Sequence, residues 1–279
     1  MTYDQILQSV KKGDFAPVYL FHGPESYYID RLEAAVIEHA LTEAERAFNQ
    51  TIVYGKEVDH LAVVDAARRF PMMAQRQLVV IREAQEMRSL NDLLSYVEKP
   101  APTTILVISY KHKKLPGNTK LGKSLKKSAV VFEAKPLYDN QVPGWISSYL
   151  KSKKYPINTD AADLLAEYLG TNLSKISNEL DKMLLSVPPG TAITTKMVED
   201  LVGISRDYNV FELQRAIGTG DIVKANRIVN YFSANPKAGP MVMAVGSLYN
   251  YFAKVYQLTE LQARRAPESD ILAAMNLRS

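Results

Sequence analysis

Val18-Tyr19-Leu20-Phe21-His22-Gly23-Pro24-Glu25-Ser26-Tyr27-Tyr28-Ile29-Asp30 reads as a buried strand, a tight turn and the start of a helix. The unbroken apolar run Val18 to Phe21 suits a strand covered on both faces. Ile29, Leu32, Val36 and Leu41 continue as a helical stripe. A strand that feeds a helix through a glycine turn is where a nucleotide-binding sheet cradles phosphate, with the pattern G-x-x-x-x-G-K-[ST]. Counted from Gly23, the second glycine is Tyr28, the lysine is Ile29 and the hydroxyl residue is Asp30. Tyr28 obstructs close backbone approach, Asp30 repels phosphate and Pro24 removes a backbone donor. No nucleotide or other cofactor is therefore expected there.

Outward from this stretch, helix and strand alternate. Tyr3, Ile6, Leu7 and Val10 predict an opening helix. Further strands are predicted at Thr51–Tyr54, Leu78–Ile81, Thr104–Ile108 and Val130–Phe132, with helix faces at Leu61, Val64, Ala67 and at Leu90, Leu93, Leu94, Val97. Five strands separated by helices predict a mostly parallel α/β sheet. After Lys135-Pro136 the pattern turns wholly helical, through Trp145–Leu150, Ala161–Leu169, Leu173–Leu184 and a short helix capped by Thr195. Longer helical patterns follow at Asp221–Phe232 and Pro240–Arg264.

The chain has 279 residues, which predicts two or three domains. A net charge of +4 permits an acidic partner without requiring one. Cysteine is absent, which excludes disulfides and thiolate chemistry and fits a reducing, cytoplasmic setting. No apolar run is long enough to span a bilayer, and the N-terminus lacks a basic-then-apolar signal. His22, His39, His60 and His112 have no metal-ligand spacing, and no G-x-S-x-G elbow occurs, so neither a metal nor a catalytic site is expected. Lys111, Lys113, Lys114, Lys120, Lys123, Lys126 and Lys127 form a basic stretch. Of these, Lys120, Lys123, Lys126 and Lys127 are candidates for contact with DNA or an acidic partner, against the ordinary alternative of a solvated face. Tyr249, Tyr251 and Tyr256 read as packing residues on a helix.

An α/β domain followed by a small helical domain has the outline of an AAA+ module. Its magnesium carboxylate is also missing: Val79-Val80-Ile81-Arg82-Glu83 places Arg82 at that position and leaves Glu83, expected to be a solvated side chain. Four segments then resemble the delta subunits of the bacterial DNA polymerase III clamp loader. They are Pro17–Tyr27, Arg69–Met73 with Arg76–Arg82, Asn172–Lys182, and Val202-Gly203 with Tyr208–Leu213. The resemblance implies a degenerate AAA+-like α/β domain over 1–139, a helical lid domain over 140–206 and a helical collar domain over 207–279. The family continues beyond Ile271–Leu277 through more collar helices, so the collar is expected to be incomplete. It implies a non-enzymatic subunit of the polymerase holoenzyme that binds and opens the sliding clamp (beta). The further partners implied are the gamma/tau ATPase subunits, delta-prime and primed DNA, with no membrane. Clamp contact is implied for Phe70, Met72 and Met73. Met72 and Met73 are adjacent and so point in different directions, while the sequence leaves Phe70 open between core and surface. The alternatives are a divergent P-loop-like ATPase and a DNA-binding regulator of the same architecture.

Overall fold

A computed structural model describes residues 1–202, 209–234, 241–264, 266–267 and 270–271, the side chains of 241–243 excepted. The chain divides into two compact units, Met1–Pro136 and Leu137–Ser279. The division expected at 206/207 and the collar beyond Ile271 lie outside the described residues, as do Gly203 and Tyr208.

The first unit runs α1 (Tyr3–Lys11), β1 (Val18–Gly23), α2 (Ser26–Ala40), α3 (Glu43–Asn49), β2 (Gln50–Tyr54) and α4 (His60–Arg68). It continues with β3 (Gln77–Arg82), α5 (Leu94–Val97), β4 (Thr104–Lys111), α6 (Lys120–Ser128) and β5 (Val130–Glu133). The strands form one parallel sheet of order β2-β3-β4-β1-β5. Alternate residues of each central strand serve opposite layers. Val18, Leu20, Val79, Ile81, Leu106 and Ile108 pack with Val63 and Ala67 of α4 and Leu121 and Leu125 of α6. Tyr19, Phe21, Leu78, Val80, Ile105 and Val107 pack with Ile6 and Val10 of α1 and Ile29, Leu32 and Val36 of α2. With both faces covered, these strands must be apolar throughout, which explains their unbroken hydrophobic runs.

One helical reading changes, and one helix is additional to those the sequence predicts. Leu61 is exposed, and α4 turns Val63 and Ala67 inward instead. Leu61 lies in the first turn, on the side of α4 away from Val63 and Ala67, the residues that α4 buries. The short α3 carries no apolar stripe. It is defined by a capping box in which Thr42 and Glu45 satisfy each other's backbone N–H groups.

The second unit contains α7 (Val142–Ser152), α8 (Thr159–Leu169), α9 (Leu173–Leu184), α10 (Thr195–Val202), α11 (Val210–Gly218), α12 (Ile222–Ala234) and α13 (Met241–Ala263). Ile146, Leu150, Leu165, Leu173, Ile176 and Leu180 are buried within it. Thr194, one residue before the expected Thr195, is the cap of α10, accepting from Met197 N at 3.4 Å. Tyr249 and Tyr256 are exposed, because α13 turns Ala244 and Leu248 toward α11 and α12 and leaves its other face outside. Among the described residues no helix is long and apolar enough to cross a membrane.

Candidate functional site

The carboxyl ends of β1, β3 and β4 form the edge where parallel α/β sheets bind small ligands. Here that edge is filled by the chain's own side chains. Gly23 has φ +133°, and a Cβ there would lie 2.2 Å from the Ala134 carbonyl oxygen. The turn is stitched to the exit of β5: Glu25 N donates to Ala134 O at 3.2 Å and Ala134 N to His22 O at 2.7 Å. Gly23 thus admits a neighbouring backbone. Glu25 caps α2, accepting from Tyr27 N at 3.0 Å, so a carboxylate already sits where a helix N-terminus would attract phosphate. Burial pushes the Glu25 carboxyl above its ordinary range, against the Tyr27 N–H that favours its charge.

The three substituted positions each have another task. Tyr28 packs edge-on against Tyr3 and Phe132. Ile29 is 0% exposed, inside the core. The Asp30 carboxylate lies 2.7 Å from Lys111 Nζ, which also meets Glu83 at 3.0 Å. Glu83 is therefore paired and half-buried, contrary to the expected solvated side chain, because the end of β4 brings Lys111 beside it. Burial opposes charge on both partners. Their mutual hydrogen bonds outweigh it, holding the Lys111 ammonium above and the Glu83 carboxyl below their ordinary values. Arg82 donates to the buried Glu33 carboxylate at 2.6 Å, and Ser109 Oγ donates to the same carboxylate at 2.6 Å.

The opposite, amino end of the sheet carries the loop 69–76 between α4 and β3. Phe70 is 85%, Met72 60% and Met73 102% exposed. Their backbone is nevertheless fastened. Gln77 Nε2 donates to Arg69 O at 2.6 Å, where the loop leaves α4. Asn49, at the end of α3, donates from Nδ2 to Met72 O at 2.9 Å and accepts from Met72 N at 2.6 Å. Arg76 lies 5.0 Å above the Phe15 ring at the far end. Phe48, beside Asn49, is also exposed, at 72%. Neither Asn49 nor Phe48 stands out in the sequence, since the bond that matters spans 23 positions.

Of the basic stretch, Lys120, Lys123, Lys126 and Lys127 are exposed on α6. Lys111 and Lys114 are engaged, Lys114 with Glu133 at 2.7 Å.

The fold is thus a parallel sheet with β4 inserted between β1 and β3 and its carboxyl edge occupied by the chain's own side chains, followed by helical segments. Residues 19–135 match the model of the family described as DNA polymerase III, delta subunit. The DNA polymerase III subunit delta of Bacillus subtilis (strain 168) is 31% identical over 225 residues, 76% of this chain and 64% of that relative. The chain thus spans slightly less than two thirds of the curated relative's length. The solved Bacillus subtilis DNA clamp loader delta protein superposes with a TM-score of 0.64 at 23% identity, covering 99% of this chain and 84% of that one. Over these stretches the chain is similar to DNA polymerase III delta subunits.

Proposed function

We propose that this chain is the clamp-binding and clamp-opening subunit of a DNA polymerase III clamp loader, acting without binding or hydrolysing ATP itself. Its partners in this reading are the sliding clamp, the gamma/tau ATPase subunits, delta-prime and, through the complex, primed DNA in the cytoplasm. The observation that carries the reading is the loop 69–76, which presents Phe70, Met72 and Met73 to solvent on a backbone fastened at both ends and in the middle. Exposed large apolar side chains in a group are characteristic of protein-binding surfaces. Methionines adapt to an irregular pocket, and an aromatic beside them supplies a rigid anchor. The filled carboxyl edge of the sheet supports the nucleotide-independent part of the reading, since Ile29 and the Asp30–Lys111–Glu83 cluster occupy the place of phosphate and metal.

Calorimetric titration of the folded chain with its cognate sliding clamp tests the reading. Binding without nucleotide, unchanged by magnesium and ATP, is expected. A folded chain that ignores the clamp, or binds it only with ATP, overturns it. The exposed lysines of α6 suit contact with the phosphates of the primed DNA. Charge reversal at Lys123 and Lys127 is then expected to reduce the salt dependence of DNA retention by the loader and to leave clamp affinity unchanged.

A further inference from the structure

We propose that Asn49 is the positioning residue of the loop 69–76, a role that rests on the clamp-binding reading of that loop. The Asn49 side chain is buried, and its amide acts as a peptide group would. Nδ2 donates to Glu45 O at 3.1 Å within α3 and to Met72 O at 2.9 Å, while Oδ1 accepts from Met72 N at 2.6 Å. One side chain thereby satisfies both backbone polar groups of Met72, in a loop with no strand partner to do so. The next residue, Met73, has φ +51°, a left-handed conformation that an unbranched non-glycine residue adopts only when its surroundings impose it.

These contacts have a functional consequence. With Met72 pinned and Met73 turned into the left-handed region, the two adjacent side chains both project outward, where an extended backbone would send them to opposite sides. The loop is therefore set in a binding-ready shape before any partner arrives, and the clamp need not order it. Asn49 has the fixed geometry to do this: aspartate of the same size keeps the acceptor for Met72 N–H but turns an oxygen lone pair toward the Met72 carbonyl.

The experiment compares wild type, Asn49→Ala, Asn49→Asp and Met72→Ala/Met73→Ala in two readouts: exchange of the Met72 backbone amide by NMR, and affinity for the sliding clamp. Circular dichroism melting checks folding, and the isosteric Asn49→Asp remains informative if Asn49→Ala unfolds. Expected are a Met72 amide that is protected in wild type and exchanges at least about tenfold faster in the Asn49 variants, with clamp affinity reduced about tenfold, the cost of ordering one freed residue. An unchanged Met72 amide in folded Asn49 variants overturns the role. So does faster exchange with wild-type clamp affinity, provided Met72→Ala/Met73→Ala has lost binding. If the methionine variant binds like wild type, the proposal falls with the loop's reading, and exchange in the Asn49 variants shows whether the fastening itself was real.

Discussion

The two ends of one parallel sheet have been used in opposite ways. At the carboxyl end, charged groups face each other and satisfy their own demands: Lys111 bridges Asp30 and Glu83, Arg82 and Ser109 hold Glu33, and Glu25 caps α2. At the amino end, Asn49 and Gln77 bond the loop backbone, and the apolar side chains of Phe70, Met72 and Met73 are left in water. An edge that elsewhere binds a small anion has become a structural joint. The edge that elsewhere is merely a set of connections has become the exposed surface. The filled edge and the exposed loop are thus separated by the length of the strands, so each can be altered without the other.

The comparison is broken most forcefully at Ile29. Introducing the lysine of the phosphate-loop pattern by Ile29→Lys places an ammonium in the core rather than at the edge. Loss of about 4 kcal/mol or more is expected, read by urea unfolding, with no gain of ATP binding. A stable variant that binds ATP would show that the carboxyl end is not closed. Next in size, Met72→Ala with Met73→Ala is expected to weaken clamp binding by about 2 kcal/mol or more, roughly 30-fold, while the melting temperature stays put because both side chains are exposed.

Lys111→Met removes the ammonium shared by Asp30 and Glu83, leaving Glu83 with Gln85 and His112, and is expected to cost about 1–2 kcal/mol, less than for a fully buried cluster because both carboxylates are partly solvated. The pH dependence of that cost follows from the two shifts. Glu83 is held low, so its contribution is present above its unfolded value of about 4.3 and fades as pH falls through the folded one. Lys111 is held high, so its contribution is present below about 10.4 and fades as pH rises through the folded value. The stability gap between wild type and Lys111→Met should be widest and flat from about pH 5 to 10, and equilibrium unfolding across that range checks it. The smallest effect is expected at Phe48→Ala. Its ring is exposed beside Asn49, and truncation should reduce clamp affinity by less than about 1 kcal/mol without altering stability.

Much of the first unit was legible because its physics is periodic. The continuous runs Val18–Phe21, Leu78–Ile81 and Thr104–Ile108 had to be strands buried on both faces, and the defects at Tyr28, Ile29, Asp30 and Arg82 stood at strand ends the runs had already fixed. What the sequence concealed was non-periodic. The helix α3 lacks an apolar stripe, and only the Thr42-to-Glu45 capping signal betrays it. Pairing of Glu83 with Lys111 joins the exits of two strands, which no local pattern reports. The exposure of Phe70 depends on Asn49 and Gln77 fastening the chain on either side of it, contacts set by tertiary structure. Asn49 itself looks like any polar residue at a helix end.

The most direct measurement is a hydrogen-exchange footprint of the chain with and without its sliding clamp, in the absence of nucleotide. The account predicts new protection over residues 69–76 and around Phe48, and no change over 22–30 and 82–86. Protection at the carboxyl end of the sheet, with an unaltered 69–76 loop, would contradict it.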